Sequence, residues 1–211
     1  EELDDSVNGF TWSDSITVTP DERRECMEYV KEHLASAFVR DGKQRFFLED
    51  TADKENLLSV DDTYRMDFAL TGTADMVIVD RVAHQYHEEF AGLHFVIEVK
   101  KDIASNLERL RRETLLELIA ADLKSDKRRA PIGLLTDLNE TWYFLWFTAN
   151  SRIATLSLQC PGDGFQFITE VLNEDASPSS DGVYWVRSRF VNETSALKRR
   201  RLADLITETI L

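Results

Sequence analysis

Cysteine is scarce. Cys26 and Cys160 are the two in 211 residues, far apart and outside any CxxC pair. This argues against a disulfide framework and a cysteine-built zinc site, and it favours a reducing working compartment. Glycine and proline number eight and four, which excludes a collagen-like chain. No apolar run reaches the roughly 18 residues needed to span a bilayer. The opening EELDDS is acidic where a signal or transit peptide is basic, and no Met starts the chain, so it reads as a mature or trimmed piece of something longer. Positive charge is also short: 25 Lys and Arg stand against 39 Asp and Glu, a net of −14. Such a chain approaches a phosphate backbone poorly unless cations are gathered locally.

What the chain has is core material. With 43% hydrophobic and 30% charged residues, it is neither disordered throughout nor a coiled coil, and it suffices for one substantial core. The acid is unevenly spread: residues 1 to 62 hold 17 acidic against 7 basic side chains. From Asp21 to about Arg40, Cys26, Val30, Leu34, Ala37 and Phe38 recur at helical spacing behind Pro20. A short apolar stretch at Phe46, Phe47 and Leu48 precedes TADKENLLSVDD, a solvated excursion or a short helix. Met66 to Leu70, Met76 to Val79 and Phe95 to Val99 read as strands, the polar DRVAHQYHEEFAG between the last two as a loop. A long helix follows from about Ser105, with Leu107, Leu110, Thr114, Leu118 and Ala121 on one face and Ser105 or Asn106 able to cap it. Ile132 to Leu135, Trp142 to Thr148 and Ile153 to Leu158 are further strands, the first two joined by TDLNE. Phe165 to Leu172 and about Ser195 to Thr207 read as helices, with a short strand at Val183 to Val186 between them. The expected fold is one α/β domain over residues 1 to 211, with a core at about 21 to 158 and an extension of strands and helices at 159 to 211.

Asp75 starts one strand. Glu98 and Lys100, two apart, project from one side of another. If Asp75 opposes Glu98, two carboxylates and an ammonium converge on one spot, an oxygen site suited to Mg²⁺. Such a trio can hydrolyse a phosphodiester: the ion polarises a phosphate oxygen, and the lysine steers the water or neutralises developing charge. The plainer alternative is a solvated strand edge. Against it, Val96, Ile97 and Val99 make the strand central, where an inward Glu and Lys need each other or a metal.

At this point GTADMVIVD, GLHFVIEVKK, ETLLELIAADLKSD and IGLLTDLNETWYFLWF together resemble the PD-(D/E)XK nuclease superfamily. More narrowly they resemble the nuclease-like C-terminal domain of Crinkler effectors of oomycetes and related fungal proteins. The resemblance covers roughly residues 64 to 158. It implies a restriction-endonuclease-like αβββαβ core with a mixed central sheet flanked by helices. It also implies metal ligands Asp75 and Glu98, catalytic Lys100, Mg²⁺ or alternatively Mn²⁺, and a secreted effector acting on DNA, or alternatively RNA, in the nucleus of a host cell. Two departures stand out. Glu113 occupies a position where such proteins are expected to carry Gln, so it is taken as an auxiliary catalytic group with Glu117 four residues on. Many superfamily members also bring a Glu from the first helix to the metal, for which Glu25, Glu28 and Glu32 are all candidates.

Residues 98 to 129 hold nine basic against seven acidic side chains. There Lys101, Arg109, Arg112, Lys127 and Arg128 are the candidate nucleic-acid contacts, with Arg111, Lys124 and Arg129 nearby. Their ordinary alternative is a solvated helix surface with favourable end charges. His84 and His87 read as surface residues. His94 shares the strand parity of Glu98 and so falls near the metal. The aromatics Trp142 to Phe147 read as core. The expected function is Mg²⁺-dependent DNA cleavage. The alternative is an inactive nuclease fold serving as an effector that binds a host protein or nucleic acid, which the acidic N-terminal third favours. No membrane partner is expected.

Overall fold

The computed structural model describes residues 7–15, 17–61, 69–125, 130–148 and 152–173, and the backbone of 207–210. Helix α1 (Pro20–His33) starts where the sequence puts it, because Thr19 and Glu22 form a reciprocal capping box ahead of Pro20. It stops short of Arg40. Leu34, at φ −99° and ψ 5°, breaks the helix, and α2 (Ala35–Phe38) turns Ala37 and Phe38 into the core. A small hairpin follows, β1 (Val39–Arg40) and β2 (Lys43–Gln44), closed by Asp41 and Gly42 at φ 52° and 71°. That left-handed pair is what a two-residue hairpin turn requires.

The main sheet has seven strands in chain order: β3 (Phe46–Asp50), β4 (Met76–Asp80), β5 (Leu93–Val99), β6 (Ile132–Thr136), β7 (Trp142–Thr148), β8 (Arg152–Leu158) and β9 (Thr207–Ile210). Among the described residues only β5 and β6 run parallel; the other pairings of this sheet are antiparallel, so the sheet is mixed. The parallel pair needs a crossover, and α4 (Leu107–Lys124) supplies it. Its buried Leu110, Thr114, Leu118, Ala120 and Ala121 lie against one sheet face. On the opposite face α1, α2 and α5 (Pro161–Asn173) pack Met27, Val30, Phe38, Phe167 and Ile168 onto Ile78, Ile97, Phe144 and Trp146. The result is a helix–sheet–helix sandwich, a mixed α/β fold as expected. Cys26 is buried and Cys160 half-buried. Among the described residues no helix is long and apolar enough to cross a membrane.

Several local expectations change. Most of the expected strand at Met66 to Leu70 lies outside the described residues, which leave out 62 to 68; within the described part Leu70 forms an isolated bridge with Val60. The short apolar stretch at Phe46 forms β3, beside β4. TADKENLLSVDD makes turns, not a helix, over its described part. The polar segment after Asp80 is helical: Asp80 accepts from the Ala83 N–H and caps α3 (Arg81–Tyr86), which buries only Ala83. At α4 neither Ser105 nor Asn106 caps with its side chain; a 3₁₀ turn over Ala104–Asn106 leads in, and Asp102 accepts from the Ser105 N–H. The expected strand at 183 to 186 and nearly all of the helix from 195 lie outside the described residues, while residues 207 to 210 are strand.

Candidate active site

Strand register builds the site. Met76 pairs with Ile97 across the antiparallel β4–β5 ladder, so Asp75, one residue before Met76, falls opposite Glu98, one residue after Ile97. The ends of β5 and β6 also coincide: the Lys100 N–H donates to the Thr136 carbonyl at 3.0 Å, which continues their pairing. Carboxyl ends of neighbouring parallel strands are where open α/β sheets ordinarily gather chemistry. Thr51 clamps the entry to β4 by donating its N–H to the Asp75 carbonyl at 3.0 Å and its hydroxyl to the Ala74 carbonyl at 2.8 Å. Asp75 Oδ2 then accepts the Val99 N–H at 2.8 Å, which aims the carboxylate at the end of β5.

Lys100 completes the cluster. Its Nζ lies 3.5 Å from Asp75 Oδ2 and in direct contact with Glu98 Oε1. Burial opposes the charge on this ammonium, but Asp75 and Glu98 outweigh it and push the pKa up. The buried carboxylates Glu98 and Glu117 are pushed up as well. Burial, then the Asp75 charge, pushes Glu98 above the usual range, and Lys100 only partly offsets it. Glu117, brought in by α4, is pushed up by burial and then by the charge of Glu98, with Lys100 pulling the other way and Asp75 adding to the rise. Three carboxylates therefore interact around one ammonium.

The donor set fits a divalent cation. Three carboxylates and one lysine leave an excess of negative charge, and Glu117 Oε2 is buried with no hydrogen-bond partner among the described residues. A cation nearby would relieve both. Among the described residues no group of three or more His, Cys, Asp or Glu is drawn together tightly enough to hold a metal. Mg²⁺, however, is commonly held by one or two carboxylates, with waters and substrate phosphates completing its shell.

The remaining candidates separate. Glu113 does not join Lys100 directly: it pairs with Arg109 at 3.2 Å, and Glu117, one turn on, is the α4 acid whose charge reaches Lys100. Lys101 is occupied rather than offered to solvent, its side chain 12% exposed and its Nζ 2.6 Å from Glu22 Oε1 and 3.1 Å from the Ser15 carbonyl. Arg112 is exposed and makes no ion pair among the described residues. Lys127 and Arg128 lie outside the described residues. Glu25, Glu28 and Glu32 are all on the exposed side of α1.

The acid of α1 that turns inward is Glu22, which the sequence reading passed over. Its signal was present in the Thr19–Glu22 capping spacing. Its carboxylate accepts from Lys101, from the Ser13 hydroxyl at 2.6 Å and from the Thr19 N–H at 2.9 Å, and these bonds, Lys101 first, hold its pKa well below the ordinary value. A carboxylate depressed in the fold stabilises it above the unfolded pKa of ~4.3 and loses that contribution as pH falls. Wild-type Tm is thus expected to exceed that of Glu22→Gln by a constant margin above about pH 5. The margin should shrink toward pH 3, as differential scanning calorimetry at stepped pH would read it.

His94 is corrected by a bulge. The register shifts between Ile78 and Val79, leaving His94 as the extra residue on β5, and such a slip reverses which face a side chain meets. His94 is buried edge-on against Phe46, with centroids 4.8 Å apart, away from Glu98. His84 stacks on Phe47 and bonds Glu49 at 2.9 Å. Trp142, Phe144 and Trp146 are fully buried, and Tyr143 and Phe147 half-buried, which makes this strand core.

No protein-family model matches the chain, and no solved structure does. It is 30% identical over 182 residues to Crinkler effector protein 4 of Phytophthora capsici, covering 83% of this chain and 40% of that one. It is 28% identical over 188 residues to Crinkler effector protein 161 of Phytophthora sojae, covering 82% and 40%. The chain spans about 40% of the length of the curated relatives it matches. Identity sustained over four fifths of its length makes this chain a homologue of the Crinkler effector proteins of Phytophthora.

Proposed function

We propose that this chain is a Mg²⁺-dependent nuclease module that cuts DNA phosphodiester bonds, part of a secreted effector acting in the nucleus of a host cell. The observation that carries the reading is the meeting of Asp75 and Glu98 on the single ammonium of Lys100 at the end of β5. The order α1, β3, β4, β5, α4, β6 is that of the restriction-endonuclease-like core implied by the sequence motifs, and the homology to Crinkler effectors agrees with both.

In this reading Asp75 and Glu98 hold the ion, which when bound polarises a phosphate oxygen and acidifies a water. Val99, through its N–H, fixes the Asp75 carboxylate in place before substrate arrives. Lys100 leaves its carboxylates for the reacting phosphate, where its ammonium orients the attacking water and neutralises charge building on the phosphate oxygens. Glu117, its carboxyl pushed upward by burial first and then by Glu98, stands beside this trio as an auxiliary group. Arg109 and Arg112, at the exposed start of α4, grip flanking phosphates.

The test is supercoiled plasmid incubated with the purified chain. Open circles are expected with Mg²⁺ or Mn²⁺ and none with EDTA; a folded chain that leaves both the plasmid and a single-stranded DNA circle intact with either ion overturns the reading. A second reading rests on the 17 acidic against 7 basic side chains of residues 1 to 62, a surface suited to a basic host protein. Intact plasmid together with tight, salt-sensitive capture of such a protein would favour it.

A further inference from the structure

Beside the carboxylates lies a pocket of about 130 Å³ that the chemistry above does not use. Leu58, Leu70 and Gly72 form one wall, and Glu113, Leu116 and Glu117 on α4 form the other. Three backbone bonds fix the first wall: the Leu58 N–H donates to the Gly72 carbonyl at 2.9 Å, and Val60 and Leu70 exchange a pair of bonds at 2.8 Å. Lys124 ties it to the helix by donating to the Leu57 carbonyl at 2.5 Å. The cavity is therefore braced on both sides. Glu117 belongs to its lining and also feels the charges of Asp75, Glu98 and Lys100, so the pocket adjoins the place where the nuclease reading seats a phosphate.

The lining selects its occupant. The two acids disfavour a phosphate, the leucines give no bonds to a sugar's hydroxyls, and Thr71 adds a single hydroxyl to the lining. Apolar walls with acceptor groups suit a flat, uncharged ring bearing N–H donors. The volume falls below the ~300–1,000 Å³ of pockets that enclose whole small molecules, so a single ring system is the scale of the guest. We propose, resting on the nuclease reading, that this pocket takes the base of a nucleotide flanking the scissile phosphate, and that the substrate is single-stranded or unpaired nucleic acid. A base whose pairing edge faces Glu113 cannot pair with a complementary strand. An ionised carboxylate only accepts, and guanine presents two adjacent N–H donors on that edge, so guanine is the best match. Glu113 then reads the base, held in place by Arg109 at 3.2 Å.

Gly72 allows a direct test, because a Cβ added there meets nothing within 4 Å and its φ is not left-handed. Gly72→Leu adds bulk to that wall of the pocket. Leu116→Asp, at a side chain already 44% exposed, charges the mouth and serves as a second variant should the first lose stability. Labelled 12-nucleotide single strands and duplexes, with and without guanine, are titrated by fluorescence anisotropy in Ca²⁺, and cleavage of the same oligonucleotides is followed in Mg²⁺. The expected result is single-strand binding about tenfold tighter than duplex binding, strongest with guanine, and a loss of that preference in both variants at unchanged Tm. Equal affinity for both forms, no binding, or a preference untouched by the variants overturns the pocket assignment. Intact preference without cleavage overturns the nuclease reading and leaves the pocket assignment standing.

Discussion

Replacing Lys100 with Met is expected to lower the single-turnover cleavage rate by about 10²–10³-fold, the usual loss when one preorganised charge at a reacting centre is removed. Met keeps most of the unbranched stem and loses only the ammonium, so packing around β5 should survive. Lys100 is the cation that touches both Asp75 and Glu98; without it their mutual repulsion is opposed by protons or by a divalent ion alone. Mg²⁺ affinity, read by titration calorimetry, is therefore expected to hold or rise while the rate collapses. Asp75→Asn should do the reverse first, weakening Mg²⁺ binding. A Lys100→Met chain that cuts at the wild-type rate would remove the chemical basis of the proposed activity. One that neither cuts nor binds Mg²⁺ would show the lysine to be structural.

The carboxylate pair was legible because two features of it are local. Period-two alternation puts Glu98 and Lys100 on one side of β5, and short apolar runs mark β4 and β5 as neighbours in the sheet. Their register was not local, yet the only condition it had to meet, Asp75 opposite Glu98, follows from the ladder beginning at Met76 and Ile97. What failed depended on information that a sequence window does not hold. His94 was placed by parity, and one inserted residue in the ladder reversed it. Helix α3 was hidden because it buries only Ala83, so no apolar stripe announced it; Asp80 as its cap was the available signal. Lys101 looked like a free cation beside Lys100, but tertiary folding brings Glu22 and Ser13 to it from 79 and 88 residues away. Glu113 and Glu117 share a helical flank in sequence. Which of them turns inward is decided by how α4 crosses the sheet.

Trp142→Ala is expected to cost about 3–5 kcal/mol, the range for emptying a buried Trp site, a large part of the ~5–15 kcal/mol that holds a domain of this size together. Trp142 is 1% exposed. Its ring meets Phe165 edge-on at a centroid distance of 4.9 Å, and its Nε1 donates to the Asn139 carbonyl at 3.0 Å. The reason α5 can come this close is Gly164: a Cβ built there would stand 2.3 Å from Trp142 Cδ2 and 2.4 Å from Cε3. A buried ring on a central strand cannot retreat by that much, so Gly164→Val is expected to cost about 1–3 kcal/mol through overpacking. The two sites oppose one another in volume, which makes the double variant informative. If glycine is there to admit the ring, the valine partly fills the space that Trp142→Ala empties, and the combined loss in urea midpoint falls below the sum of the single losses at unchanged m. A strictly additive loss would mean that Gly164 serves the helix backbone, and that α5 is held against β7 by contacts other than this one.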